Sequence, residues 1–213
     1  MSNITQHAPG ARSRDGRHTR DAIVEAATRL MHLQGYQATS LDDVLRESGV
    51  GKGNFYYQFR SKEDLGYAIL DQIIAAFLER TLEPCFSDPS TPRLVQIRRF
   101  LHRVLEAQRE RNCVGGCPLG NLASELSDVH EGFRARLSSV FSAWRERLTR
   151  ALTEAQALGH VRLDCRPEAV AHFLVAALEG AILMAKLAKD VTVMERCVEE
   201  LGRYLTLYEP VAP

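Results

Sequence analysis

The chain has no net charge: 27 Lys and Arg residues balance 27 Asp and Glu residues. A general electrostatic pull on nucleic acid or on anionic membranes is therefore excluded, and any such affinity has to come from local clustering. No apolar run approaches the length of a membrane span, and no signal peptide opens the chain. Cysteine is sparse, five residues without framework spacing, which argues for free thiols in a reducing cytoplasm. Missing too are the phosphate-binding glycine patterns, His-Glu-x-x-His, a nucleophile elbow and a CxxC pair. An enzyme would have to rely on a scattered constellation. No segment alternates as a strand does. What is left is 213 residues, 45% hydrophobic and 25% charged, enough for one or two helical domains with a sizeable core.

The most informative stretch runs from Thr39 to Lys62, TSLDDVLRESGVGKGNFYYQFRSK. Leu41, Val44 and Leu45 fall at helical spacing, with Ser40 at the N-cap position and Asp43 three residues later as a short capping-box acid. Gly49 supplies the positive φ that ends this short helix. Phe55 and Phe59, four residues apart, anchor a second short helix whose other face carries Lys52, Asn54, Tyr56, Tyr57 and Gln58. A helix of about two turns, apolar on one side and rich in ammonium, amide and phenol groups on the other, suits a DNA major groove. Upstream, Arg20 to Gln34 predicts a helix capped by Thr19 and closed by Gly35, with Ile23, Ala26, Ala27, Leu30 and Met31 inside and Leu33 contributing. Residues 1–18 lack an apolar period and hold Arg12, Arg14 and Arg17, which predicts a flexible basic arm able to lie on phosphates or in a minor groove.

Helix, turn, GVGKGNFYYQF, then Ser61-Lys62-Glu63-Asp64 and a long helix together resemble the DNA-binding domain of the TetR family of bacterial transcription regulators, over Thr19 to Leu70. One departure is Gly51, where the family usually has Ser. The resemblance implies an all-α fold: a helix-turn-helix domain over 19–65, joined by a long fourth helix to a helical bundle for effector binding and dimerisation over 66–213. It implies DNA contacts from Thr39, Ser40, Lys52, Gly53, Asn54, Tyr56, Tyr57 and Lys62, and neither cofactor nor metal. It further implies a homodimer on an inverted-repeat operator, a repressor released when a small-molecule or electrophilic effector in the bundle shifts the fourth helix. A transcription activator of the same fold and, remotely, a helical-bundle enzyme are the alternatives.

Beyond Lys62 the apolar pattern predicts helices over Lys62–Leu82 (ended by Pro84), Arg93–Arg111, Cys117–Leu126, Phe133–Leu158, Pro167–Lys189 and Val193–Tyr208. A polar linker, Ser87 to Pro92, is the clearest break in the chain. The helix from Pro167 is apolar almost all round and holds Gly180 beside Ala177 and Ala181, which suits close pairing of two copies. The expected dimer contacts are Ala177, Gly180, Ala181, Met184, Leu201 and Leu205. The segment Cys113-Val114-Gly115-Gly116-Cys117-Pro118-Leu119-Gly120-Asn121-Leu122 resembles a subgroup with Gly-Cys-x-x-Gly-Asn-Leu at the start of the sixth helix. A thiol at a helix N-terminus is expected to have a lowered pKa, which puts Cys117 ahead of Cys113 as a redox or electrophile sensor. Phe100, Asn121, Phe141, Trp144, His172 and Phe173 complete the effector candidates. Glu179, a carboxyl in an apolar helix, needs a partner across the dimer or on an effector.

Overall fold

The computed structural model describes residues 11–210, and among these residues every regular element is helical. The chain divides into two compact units, the first ending at Asp71 and the second beginning at Gln72.

The first unit opens with α1, Ala11–Gln34. The sequence reading began this helix at Arg20 with Thr19 as its cap; Thr19 instead lies within it. Once nucleated, a helix extends cheaply, and no proline follows Pro9 to stop it. The flexible-arm expectation therefore fails for residues 11–18, while residues 1–10 lie outside the described residues. Ile23, Val24, Ala26, Ala27 and Met31 are buried, whereas Leu33, expected to contribute to the core, is exposed. Gly35, at φ 95°, closes the helix.

Next come α2, Leu41–Ser48, and α3, Lys52–Gln58. The capping box at Ser40 is complete: its Oγ accepts from Asp43 N–H at 3.1 Å and its own N–H donates to Asp43 Oδ2 at 3.0 Å. Gly49 follows at φ 67°. Val44, Phe55, Phe59 and Leu65 seal the small core under these helices. At about 1.5–3 kcal/mol for each large apolar side chain removed from water, they hold two helices too short to persist alone.

Helix α4, Lys62–Phe77, continues into a π-helical segment, Leu78–Leu82, and then α5, Glu83–Phe86. Pro84 thus does not terminate the helix as expected. Glu83 N–H bonds Leu78 O, five residues back, and the missing proline N–H falls in the first turn of α5, where no such donor is needed. Ser87 to Pro92 is not a domain break either, since it lies inside the second unit as a hydrogen-bonded turn. Asp88 Oδ1 accepts from Ser90 N–H at 2.9 Å, and its backbone carbonyl accepts from buried Gln96 Nε2 at 2.6 Å.

The rest of the second unit is α6 (Arg93–Glu110), α7 (Pro118–Leu126), α8 (Glu131–Ala157), α9 (Pro167–Ala188) and α10 (Val191–Thr206). One continuous core runs through it, with Phe100, Leu101, Trp144, Leu148, Leu174 and Leu178 at its centre. Helix α9 corrects the expectation about membrane-length segments: at 22 residues, with an 18-residue stretch of mean hydropathy 1.7, it meets the length and composition of a span. Leu174, Leu178, Ile182 and Ala185 on its inner face pack in the bundle core.

Candidate nucleic-acid interface and effector cavity

Helix α3 presents two opposite surfaces. Phe55, fully buried, packs its ring against Phe59 at 5.8 Å and edge-on against Tyr56 at 5.4 Å. Lys52, Gly53, Asn54, Tyr56 and Tyr57 face solvent on the other side. Tyr57 is 84% exposed, an unusual position for a large aromatic ring unless something else covers it. A Cβ added at Gly53 would meet nothing within 4 Å, so the backbone there is open to close approach.

Three of the expected DNA contacts are otherwise engaged. Thr39 is fully buried: its Oγ1 donates to Gly35 O at 2.7 Å and accepts from Gln34 Nε2 at 3.2 Å, and its N–H bonds Tyr36 O. Its hydroxyl latches the end of α1, and the expectation that it reaches phosphate is corrected. Ser40 is exposed, but its Oγ also donates to Asp43 Oδ2 at 2.6 Å. Lys62 lies over the Tyr36 ring at 4.4 Å and reaches Gln37 O at 3.5 Å.

The second unit holds a cavity of about 390 Å³. Ile73 and Phe77 from the end of α4 wall it, with Thr81 of the π-helical segment, Val104 and Gln108 of α6, Cys117 and Leu119 beside α7, Trp144 of α8, and Glu179 and Ile182 of α9. Two of its buried polar atoms have no hydrogen-bond partner: Trp144 Nε1 and Glu179 Oε1. Gly120 is what admits the carboxyl, because a Cβ there would fall well inside contact distance of Glu179 Oε2.

Of the expected effector residues, Cys117 and Trp144 line the cavity. Phe100 and Phe141 stand behind Trp144, ring centroids 5.5 and 5.8 Å away. The others are placed differently. Cys113 is buried in the core at φ 56°. Asn121 pins the glycine loop, donating to Gly115 O at 2.7 Å and accepting from Lys186 Nζ at 3.2 Å. His172 is exposed beside Glu168 O, and Phe173 is exposed against Tyr204 at 4.7 Å.

Cys117 is the N-cap of α7, with Gly120 N–H 3.4 Å from its sulfur, yet its pKa moves upward rather than downward. Burial is the main cause and the neighbouring Glu179 carboxyl the next; together they outweigh the helix-terminal N–H. The expectation of a reactive thiolate at Cys117 is corrected accordingly. Burial likewise raises the pKa of Glu179, and Cys117 only partly offsets this. Gln108, Thr81 and Ile182 carried no sequence signal for the cavity, since an amide, a hydroxyl or an apolar side chain fits any helical bundle.

Ala181, Leu201 and Leu205, expected at a dimer contact, are instead inside the monomer core. What α9 exposes is an apolar stripe at helical spacing: Phe173, Ala176, Gly180, Leu183, Met184 and Leu187, with Ala177 half-buried beside it.

Residues 23–69 match the family model described as bacterial regulatory proteins, tetR family, and residues 93–201 match the tetracyclin repressor-like C-terminal domain. The chain belongs to the TetR family. Within it, the transcriptional regulator AcuR of Cereibacter sphaeroides is 32% identical over 86% of this chain and 83% of that protein. The transcriptional repressor DhaR of Mycobacterium sp. (strain GP1) is 30% identical over 91% of this chain and 92% of that protein. A TetR transcriptional regulator from Chloroflexus aurantiacus shares the fold at a TM-score of 0.85, with 29% identity, covering 93% of this chain and 100% of that one. As a TetR-family chain with an intact helix-turn-helix, it is a DNA-binding transcription regulator and not an enzyme.

Proposed function

We propose that this TetR-family regulator is a homodimeric, cytoplasmic repressor that leaves an inverted-repeat operator when a small molecule enters the cavity of its second unit. The observation that carries the DNA-reading part is the outward face of α3, where Tyr57 stands 84% exposed beside Tyr56, Asn54 and Lys52. In this reading those side chains enter the major groove, and the open backbone at Gly53 lets the helix sit close to it. Two copies are needed to place two such helices about 34–36 Å apart, or a multiple of that. The exposed apolar stripe of α9 supports the pairing, since a free-standing surface seldom leaves Leu183, Met184 and Leu187 all in water. Repression is inferred from likeness to the repressor DhaR. A reversible ligand fits the cavity better than an electrophile, because Cys117 is held as the thiol.

The test is a fluorescence-anisotropy titration on DNA flanking the protein's own gene, at two salt concentrations. Specific binding is expected, weakened in Lys52→Ala and Tyr57→Ala, with the salt slope flattened by about one unit in the lysine variant. Wild-type binding no tighter than to random DNA defeats the operator reading. Unchanged affinity in both variants removes α3 from it.

A further inference from the structure

Glu179 is only partly satisfied in the cavity, where the Cys117 thiol hydrogen-bonds its carboxyl. Its Oε1 is buried without a partner, and no ion pair among the described residues includes it. Three cations lie on or near the cavity, and none is paired with Glu179. The Lys186 ammonium, two turns along α9, is 3.2 Å from Asn121 Oδ1. Arg80 and Arg111 line the cavity but are solvent-exposed, and Arg111 Nε donates to Ala107 O at 2.9 Å. A carboxyl taken out of water without a counter-ion carries a penalty that a packed apolar residue would not, so its presence beside an empty space calls for an explanation. Gly120 sharpens the point: the fold leaves out a side chain where one would displace this carboxyl.

We propose that the cavity is built for an organic cation, an ammonium-bearing compound whose charge pairs with Glu179. The inference rests on the cavity's being the effector site. Each ligand class meets this lining differently. An anion beside Glu179 would set a second negative charge against a carboxyl without an ion-pair partner, since Arg80 and Arg111 stand on the solvent-exposed part of the lining. A neutral molecule would gain a hydrogen bond and burial along Ile73, Phe77, Val104 and Ile182, but nothing that discriminates by charge. An ammonium gives a half-buried carboxyl the counter-ion it lacks, and the rings of Trp144 and Phe77 on the lining add cation–π attraction. The unpartnered Trp144 N–H fits a ligand that also carries an acceptor oxygen. At about 390 Å³ the space suits a compact molecule.

Trp144 is the chain's single tryptophan, so fluorescence excited selectively at tryptophan reports on a side chain of this cavity. The probes are benzylamine, benzyl alcohol and benzoate, one ring with positive, neutral and negative substituents, titrated into the full-length protein at neutral pH. Benzylamine is expected to bind about tenfold tighter than benzyl alcohol or better, with benzoate weakest. Glu179→Gln is expected to abolish the preference for the amine while leaving the alcohol bound as before. Benzoate or benzyl alcohol matching benzylamine on the wild-type protein overturns the proposal, whatever the variant does; so does an amine preference that survives Glu179→Gln. If none of the three perturbs Trp144, the cavity is not a ligand site, and the effector reading falls together with the proposal. If benzylamine binds with the expected preference yet leaves DNA binding untouched, the ligand class stands and only the effector reading falls.

Discussion

Gly120→Ala isolates the close approach of the Glu179 carboxyl to α7. Gly120 sits in the first turn of α7, at a conformation open to any residue, so alanine there gains about 0.5–1 kcal/mol of helix stability. The added Cβ stands 3.4 Å from the Cβ of Cys117, a tight but tolerable contact, and overlaps Glu179 Oε2. The group that must yield is the end of a flexible side chain, and rotating it costs an off-minimum torsion of about 0.5–1.5 kcal/mol. The two effects nearly cancel. Gly120→Ala should therefore change stability by no more than about 1 kcal/mol, while the carboxyl is pushed away from Cys117. In a Glu179→Ala background the obstacle is gone, and the same substitution should stabilise by the full helix term.

The assay is a thermal double-mutant cycle on the ligand-free protein. For a chain of this size 1 kcal/mol moves Tm by about 2–4 °C, well within reach of a melting curve. Benzylamine titrations on the same four proteins then report whether the displaced carboxyl still holds an ammonium. A loss above about 3 kcal/mol in both backgrounds would refute the reasoning, because it would mean that backbone or Cys117, not the carboxyl, fills the space beside Gly120.

Ser40→Ala removes the side-chain arm of the capping box at α2, leaving the backbone N–H of residue 40 to donate to Asp43, and should cost about 0.5–2 kcal/mol in chemical denaturation, with no change in the fluorescence of Trp144. Glu179 has a raised pKa, so its favourable protonated state is fully present below the ordinary value of 4.5 and is lost as pH climbs through the raised one; Glu179→Gln should flatten that decline and stabilise the ligand-free protein near neutrality by about 1–3 kcal/mol. Asp88 runs the opposite way: hydrogen bonds from Ser90 and Thr91 lower its pKa to about 2, so its contribution holds above the ordinary 3.8 and disappears as pH falls through 2, an acid limb that Asp88→Ala should remove from the pH–Tm profile. Leu183→Glu together with Leu187→Glu should leave the monomer's helix content intact and shift the sedimentation coefficient to that of one chain, because neither side chain belongs to the monomer core.

The DNA-reading unit was legible because its signals are local. A cap, a turn glycine and two phenylalanines four apart each dictate structure within a few residues, and the structure puts Ser40, Gly49, Phe55 and Phe59 in those roles. The errors arose where a local rule met a tertiary one. Pro84 reads as a stop, but a π-helical turn just before it shifts the hydrogen-bond register and removes the conflict. Thr39 carries a hydroxyl of the right type at the right place, and only the end of α1 determines that it turns inward. Cys117 does cap a helix, which by itself lowers a thiol pKa. Whether burial and a carboxyl from a helix about sixty residues further along overrule that cap is decided by packing, which spacing does not encode.

Helix α9 shows the same limit most fully. Its composition announces apolar surface on every side, and the structure has apolar residues on both its inner and its outer face. A helix apolar all round nevertheless gives no sign of which stripe meets its own bundle and which meets something else. The structure separates them: Leu174, Leu178, Ile182 and Ala185 face inward, and Phe173, Gly180, Leu183 and Leu187 face out. Ala181 and Gly180 are neighbours of similar size, so no propensity distinguishes the buried one from the exposed one. Glu179 lies at the seam between the two faces, inside the cavity and one residue from the outward stripe. If two copies pair through that stripe, a ligand charge captured at Glu179 acts on the helix that holds the dimer together. Effector binding would then also change how tightly the two chains pair, and dimer dissociation measured with and without benzylamine should differ in the wild-type protein and agree in Glu179→Gln.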